Sequence, residues 1–137
     1  MADLVKKAVY YKIETSNRVG EGAKILNGLK EAKVNLLAFT GFPRRRKTQM
    51  DFVPENPAAF TRAAKKMGLT ISGRKTCYLI KGRDREGAIA DTLNKLSEGG
   101  INVTALNAIV AGKGRYGAIL WVKKEDVRKA SRILGAQ

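Results

Sequence analysis

The sequence contains no histidine and a single cysteine, Cys77, among its 137 residues. The lack of histidine excludes Ser-His-Asp and Cys-His catalytic sites and metal sites with imidazole ligands. One cysteine can form neither an intrachain disulfide nor a thiolate metal cluster, and its place in an apolar run predicts a packed side chain. Gly112-Lys113-Gly114 lacks the remaining spacing of a phosphate-binding loop. We therefore expect a protein that is not an enzyme and that uses no cofactor and no metal.

Long apolar runs are also missing. No stretch approaches the roughly 18 residues that a membrane-spanning helix needs, and the first residues, with Asp3 early, do not resemble a signal peptide. We expect a cytoplasmic protein with no membrane partner.

Acidic residues are scarce: the sequence has 12 Asp and Glu but 27 Lys and Arg, which gives a net charge of +15. A surplus of this size predicts salt-dependent attraction to polyanions. The densest basic run is Arg44-Arg45-Arg46-Lys47. Nucleic acid is therefore one partner to weigh, although a basic run between two strands is more often a solvated turn.

The hydrophobic pattern of the first half predicts alternating strands and helices. Residues 6–14 alternate with period two, as in a half-buried strand, and apolar residues from Ala23 onward follow helical spacing. Asn56-Pro57 is a typical helix start, and Gly68 is suited to the helix end. The remaining predicted strands are 34–42, 48–53 and 69–72. This βαββαβ order is that of a split-βαβ, ferredoxin-like unit.

Adding 67 to a residue number reproduces the pattern without a gap. Tyr11 matches Tyr78, Gly20 matches Gly87, and Asn35 matches Asn102, with equally good matches in helices, turns and strands. The sequence thus predicts an α+β fold of two tandem ferredoxin-like βαββαβ units, with domains at 1–72 and 73–137.

The second copy is incomplete. Gly68 matches Gly135, and the sequence ends two residues later, so the second copy lacks its own fourth strand. The strand around Tyr78 and Ile80 would then have an open edge, which proteins seldom leave bare. We expect a strand from the first copy or from a second chain to pair there.

The second copy also has an unusual number of apolar strand residues. We assign to the sheet face away from Tyr78 and Ile80 the residues Cys77, Leu79, Leu106, Ala108, Ala118, Leu120 and Val122. Helices in this topology cover only one side of a sheet, so an apolar second side implies a further cover. Self-association as a homodimer is the simplest one.

Two segments carry a family resemblance that extends over nearly the whole chain. Asp84-Arg85-Glu86-Gly87-Ala88, followed by Gly99-Gly100-Ile101-Asn102-Val103, resembles the loop, helix and turn of the ACT domain, a small regulatory module of amino acid metabolism. Glu86 replaces the proline usual at that position. In the first copy Asn17 replaces the loop Asp, and the turn before Asn35 is a looser version.

The resemblance implies small effectors, often amino acids, between the loop after strand one of one domain and strand two of its neighbour. The residues that it implies are Asp84, Arg85, Glu86, Gly87, Ala88, Asn102 and Val103 in the second copy and Asn17, Arg18, Val19, Gly20, Asn35 and Leu36 in the first.

Elementary chemistry is consistent with such a site. Free amides at a helix start can bind a carboxylate, glycine lets a ligand approach the backbone, and Asp84 or Asn102 could accept an ammonium group. The same residues could instead be architectural. Gly87 would then be needed only for the turn, Asn102 would only close the helix-to-strand connection, and Asp84 would only cap the helix. In the first copy, Gly20 and Asn35 would have the same roles as Gly87 and Asn102.

The sequence therefore suggests a free-standing tandem ACT-like regulatory protein that binds an amino acid or similar small effector at domain interfaces. We expect a homodimer, with a further protein partner as a third possibility. The alternative is a basic, ferredoxin-like nucleic-acid-binding protein. We favour it less because RNA-recognition modules present aromatic rings from a Lys/Arg-Gly-Phe strand, and neither 48–53 nor 116–122 matches that pattern.

Overall fold

A computed structural model describes residues 3–137, which form two compact units. The first unit comprises Val9–Lys75, and the second comprises residues 3–8 together with Thr76–Gln137. These units follow spatial contacts, whereas the expected domains at 1–72 and 73–137 follow the repeat and stay a prediction.

The elements occur in the order that the sequence predicts, which confirms the α+β class and the ferredoxin-like repeat. They are β1 (Leu4–Ser16), α1 (Glu21–Glu31), β2 (Leu36–Arg44), β3 (Lys47–Pro54), α2 (Pro57–Lys66), β4 (Lys75–Arg83), α3 (Ala88–Glu98), β5 (Val103–Gly112), β6 (Arg115–Val122) and α4 (Val127–Leu134). A single 3-10 turn, Lys124–Asp126, leads into α4.

In the first unit, β3 lies between β2 and the second half of β1. Met50 and Phe52 point to the same side of β3 and are buried against the two helices, as their spacing predicts. Phe60 of α2 lies between two aromatic rings, with ring centres 5.2 Å from Tyr11 and 5.4 Å from Phe52. Aromatic packing therefore fixes α2 on the sheet.

The ends of α2 are formed as the sequence predicts. The Asn56 side-chain oxygen accepts a hydrogen bond from the amide of Ala59 at 3.1 Å, Pro57 begins the helix, and Gly68 has a φ of +72°. The predicted strand 69–72 is wrong as a regular strand. Ser72 donates its amide to the Lys12 carbonyl, but its hydroxyl, not a carbonyl, accepts the Lys12 amide, so no ladder develops.

In the second unit, the strands lie in the order β1, β4, β6, β5, and β1 contributes its first half. The predicted partner for the edge at Tyr78 and Ile80 is thus confirmed: it is β1, whose N-terminal segment, up to Ala8, belongs to this unit. Gln137 exchanges backbone hydrogen bonds with Val5 and Lys7 at 3.1 and 3.0 Å. The last residue therefore also lies alongside this segment.

The predicted composition of the second sheet face is largely wrong. Leu120 lies directly opposite both Tyr78 and Leu106, and Ala118 lies opposite Ile80. Directly opposed residues share a face of the sheet, so these side chains belong to the helix-covered core. Ala108 and Val122 lie on that side too, since Ala108 opposes Ala118 and Val122 follows Leu120 by two residues.

Of the residues assigned to the second face, only Cys77 and Leu79 lie there. They are joined by Ile119, which opposes Leu79, and by Trp121 two residues further along β6. Cys77, Ile119 and Trp121 are buried, so this face is apolar but consists of other residues than predicted. Every residue from Ala118 to Val122 is apolar, so the composition of β6 could not show which side chains face the helices.

Candidate functional site

The predicted site in the second unit centres on the loop between β4 and α3. The Asp84 amide donates to the Gly114 carbonyl at 2.8 Å, which ties the loop to the β5–β6 turn. Gly87 has a φ of +74°, a left-handed conformation that glycine adopts without strain, and α3 begins at the next residue. The glycine therefore turns the chain directly into the helix.

The start of α3 has no side-chain cap among the described residues. The hypothesis that Asp84 serves as a cap is therefore wrong. Asp84 is exposed, and within residues 3–137 its carboxylate makes no hydrogen bond or ion pair. The loop thus combines a free carboxylate with a helix N-terminus that no side chain caps, although the first helical amide, that of Ala88, donates to the Arg85 carbonyl at 3.3 Å.

Arg85 is held by three acceptors. Its Nη1 donates to Asp3 Oδ1 at 3.2 Å and to the Arg83 carbonyl at 3.1 Å, and its Nη2 donates to Asp91 Oδ2 at 2.9 Å. Hydrogen bonds to Asp3 and Asp91 raise the pKa of the guanidinium. Arg85 therefore joins the N-terminal segment, the loop and the first turn of α3.

Asp3 has a second partner, because its Oδ2 accepts a hydrogen bond from the Tyr116 hydroxyl at 2.6 Å. Burial favours a higher pKa for Asp3, but the hydrogen bonds from Tyr116 and Arg85 outweigh it and leave the pKa below its ordinary value. Burial and the bond to Asp3 raise the pKa of Tyr116 to about 12. Gly82 makes this arrangement possible, since a methyl group there would collide with the Asp3 carboxylate and the Tyr116 ring.

A cleft of about 310 Å³ opens beside this cluster. Its walls combine two carboxylates, two cations, two neutral polar side chains and two apolar ones. The lining residues are Asp3, Val5, Arg85, Asp91, Thr92, Asn94, Lys95 and Leu134. Of the predicted site residues, only Arg85 reaches this cleft.

Asn102 and Val103 lie at the far end of the second unit from the loop. Arg83, next to the loop, opposes Arg115, whereas Val103 opposes Val122 seven residues further along β6. At about 3.3 Å per residue the separation is about 23 Å. Within one unit the loop and strand two therefore cannot contact the same small ligand.

In the matching loop of the first unit, the residue that corresponds to Asp84 already has a hydrogen-bond partner. Gly20 has a φ of +91° and directly precedes α1, which no side chain caps among the described residues. Asn17 Oδ1, however, accepts a hydrogen bond from Thr48 Oγ1 at 3.0 Å. Arg18 and Val19 are exposed at the tip of the loop.

At the other end of the first unit, Asn35 has an architectural role. Its carbonyl accepts the Glu55 amide at 2.9 Å, and its side chain donates to the Glu55 carboxylate at 3.5 Å. Leu36 and Asn35 border an open groove of about 470 Å³. The other lining residues are Leu26, Leu29, Lys30, Lys33 and Val34.

The basic surface has few internal partners. Of the 27 Lys and Arg side chains, Arg85 alone forms an ion pair with a carboxylate within residues 3–137. The β2–β3 turn is exposed, Arg45 has a left-handed φ of +60°, and Arg44 donates to Gln49 Oε1 at 3.0 Å. The charge is therefore available to external anions.

Asp3, Asp91, Lys95 and Tyr116 belong to the cluster and cleft but are not among the residues that the sequence pattern predicts for a site. One signal was present. Adding 67 to 4–8 gives 71–75, which overlaps the predicted fourth strand of the first copy at 71–72, so the repeat itself indicates a strand-pairing role for the N-terminal segment.

Within the described part of the chain, no three or more Cys, Asp or Glu side chains come together as metal ligands. Among residues 3–137, no helix has both the length and the apolar character needed to cross a membrane.

No protein-family model and no curated protein matches the chain. Solved structures do match it. One is a protein from Bacteroides thetaiotaomicron, with a TM-score of 0.82 and 18% identity, covering 96% of this chain and 88% of that one. A second is the regulatory subunit of aspartate kinase from Thermus thermophilus, in its ligand-free form, with a TM-score of 0.68, 15% identity and coverage of 98% and 95%.

A third similar structure is a putative C-terminal regulatory domain of aspartate kinase from Porphyromonas gingivalis W83. Its TM-score is 0.57, its identity 20%, and the coverage 98% of this chain and 94% of that one. At these identities the likeness concerns the fold alone.

Proposed function

We propose that this chain, whose fold is that of two ACT-like units in tandem, is a regulatory protein that binds an amino acid or a similar small effector. Two of the similar structures are regulatory parts of aspartate kinase, which supports a regulatory and non-catalytic role. We also propose that the protein is cytoplasmic and acts through a protein partner.

The observation that carries the proposal is the loop 84–87 in the second unit. An α-amino acid presents a carboxylate and an ammonium group a few ångströms apart. The uncapped start of α3 offers amides and a positive helix end for the carboxylate. The unpaired Asp84 carboxylate offers a partner for the ammonium group. The left-handed Gly87, with no side chain, lets the ligand approach the backbone.

The remaining residues of the site would come from a neighbouring molecule. Asn102 is exposed about 23 Å from the loop of its own unit, so it contributes only if strand two of another copy is placed against the loop. We therefore propose a homodimer in which the exposed Arg85 and Glu86 face Asn102 and Val103 of the partner. Ala88 is buried in the core of its own unit, so it supports the loop from below and does not face the partner.

We expect the predicted site of the first unit to bind a ligand more weakly than that of the second unit. The Asn17 side chain accepts a hydrogen bond from Thr48, and the Asn35 side chain donates one to Glu55. A ligand at this site would therefore compete with these internal hydrogen bonds. Arg18, Val19, Gly20 and Leu36 remain accessible, and we expect lower affinity at this site.

Regulation requires that the effector bind two arrangements of the protein with different affinity. A ligand that completes a contact between copies favours the associated arrangement by that difference. The effector would thereby control which surface a protein partner encounters.

A thermal-shift screen of the common amino acids tests the proposal. At about one hundred times its dissociation constant, an effector adds about 2.7 kcal/mol to the free energy of unfolding. Asp84→Ala should weaken binding at least about tenfold, since one hydrogen-bonded charge pair contributes about 1.5–3 kcal/mol. Glu98→Ala, an exposed acid at the far end of α3, is the matched control and should bind normally. Stabilisation by no amino acid would overturn the proposal.

A second candidate function is supported by the unpaired cations of the β2–β3 turn. Arg44, Arg45, Arg46 and Lys47 are all exposed, and four phosphate contacts give a salt dependence of binding with a logarithmic slope of about −3 for a single strand. Fluorescence anisotropy with a labelled RNA oligonucleotide at several salt concentrations measures this slope. A Kd that does not change with salt would exclude this function.

A further inference from the structure

The cleft beside Arg85 is distinct from the face of the loop on which Asp84 and Gly87 lie. It is bounded by the N-terminal segment through Asp3 and Val5, by α3 through Asp91 and Lys95, and by the end of α4 through Leu134. Its volume of about 310 Å³ is at the lower limit of small-molecule sites. It therefore suits a ligand of few atoms.

The charges in the cleft are arranged unusually. Asp91 and Lys95 are four residues apart on α3, a spacing at which opposite charges commonly pair. Here Arg85 binds Asp91 Oδ2 instead, and Lys95 has no carboxylate within ion-pair distance among the described residues. Asn94 also makes no side-chain hydrogen bond within residues 3–137. Lys95 and Asn94, both exposed, thus present donors at the cleft that no protein acceptor within residues 3–137 engages.

The acidic side of the cleft retains an acceptor. Arg85 engages Oδ2 of Asp91, and Asp91 remains 60% exposed, so its Oδ1 is accessible. Asp3 is different, because Arg85 and Tyr116 occupy both of its oxygens. Two carboxylates and two cations leave the cleft without net charge, which favours a ligand that is itself neutral overall.

Val5 and Leu134 provide the apolar part of the lining. Val5 is buried in the core of the second unit, and Leu134 packs against the same core. A short aliphatic group placed against them would lose contact with water at a gain of about 0.8 kcal/mol per methylene.

We propose that this cleft is a second binding site, for a small zwitterion with a short aliphatic chain. The ligand carboxylate is bound by Lys95 and Asn94, its ammonium group by Asp91 Oδ1, and its aliphatic chain by Val5 and Leu134. Because Val5 belongs to the N-terminal segment and Lys95 to α3, a bound ligand links this segment to the helix. The site stands independently of the one proposed for the loop.

The test measures thermal stabilisation of the full chain by L-leucine, by 4-methylpentanoate, which lacks the ammonium group, and by 3-methylbutylamine, which lacks the carboxylate. We expect stabilisation by L-leucine and at least a tenfold weaker response to each of the other two. Equal responses to L-leucine and 4-methylpentanoate, or none to L-leucine, would overturn the proposal.

Variants separate the cleft from the loop. Lys95→Met should weaken the response to L-leucine at least tenfold. Lys24→Met changes an exposed lysine of α1 that lines neither the cleft nor the open groove beside Leu36, so this variant should keep the response. Asp84→Ala should also keep the response of the cleft. A response lost in Asp84→Ala and kept in Lys95→Met assigns the ligand to the loop alone, and a loss in both variants contradicts two separate sites.

Hydrogen exchange gives a readout that does not depend on affinity. L-leucine in the cleft should slow amide exchange in residues 4–8 and 92–96, in wild type and Lys24→Met but not in Lys95→Met. Slower exchange confined to residues 85–90 would overturn the proposal.

Discussion

Replacing Asp3 by alanine should strongly destabilise the second unit, because this carboxylate joins the N-terminal segment to side chains of the β4–α3 loop and of β6. It accepts a hydrogen bond from Tyr116 at 2.6 Å and pairs with Arg85 at 3.2 Å, and its side chain is only 12% exposed. A hydrogen bond to a charged group contributes about 1.5–3 kcal/mol. The ion pair with Arg85 is screened by solvent and adds little. Asp3→Ala should therefore cost about 3 kcal/mol.

Urea denaturation followed by tryptophan fluorescence measures this loss. The chain has one tryptophan, Trp121, which is buried in the second unit and so reports on the unit that Asp3 completes. With a denaturant slope of about 1.5 kcal/mol per molar, a loss of about 3 kcal/mol lowers the midpoint by about 2 M.

A double-mutant cycle identifies the contact responsible. Tyr116→Phe removes the hydroxyl and leaves the ring, so the double variant should lose about 1–3 kcal/mol less than the sum of the two single variants. A cost below about 0.5 kcal/mol for Asp3→Ala, or additive effects of the two changes, would refute the attachment of the segment through this carboxylate.

Three further predictions concern the same region. First, spectrophotometric titration should show one tyrosine ionising near pH 12 that disappears in Tyr116→Phe, since the pKa of Tyr116 is raised to about 12. Because the raised pKa belongs to the folded state, the stabilisation by this hydroxyl should be complete below about pH 10 and disappear as the pH rises through 12; a midpoint near 10 for every tyrosine would contradict the buried bond. Second, Gly82→Ala should lower stability by about 1–3 kcal/mol in urea denaturation, because the added methyl group displaces Asp3 and the Tyr116 ring; unchanged stability would disprove the close approach. Third, Gly87→Ala should cost about 1 kcal/mol through backbone strain alone, since no atom lies within 4 Å of the added carbon; circular dichroism on urea unfolding measures it, with Ala90→Gly in α3 as a control for helix propensity.

The sequence predicts most of the architecture because hydrophobic periodicity and turn residues act locally. Gly68 and Gly87 adopt the left-handed conformations that their positions suggest, and Asn56 caps α2 through its side chain. The repeat at 67 residues predicted the same helices and strands for the second unit. It also predicted that the open edge beside Tyr78 would be paired.

The errors concern properties that depend on register between distant strands. Leu120 belongs to the core because it opposes Tyr78, and no local pattern distinguishes it from Ile119 on the other face. The same limit applies to the site. Asp3 and Tyr116 are 113 residues apart in sequence and meet only because the first half of β1 completes the second unit.

Hydrogen exchange of the loop between β4 and α3 tests the central claim most directly. With the amino acid that stabilises the protein best in the thermal screen, the amides of residues 87–90 should exchange at least tenfold more slowly, and Asp84→Ala should abolish the effect. If no amino acid slows exchange there, while an RNA oligonucleotide protects residues 44–47 in a salt-sensitive manner, the effector-binding role is contradicted and the nucleic-acid role is favoured.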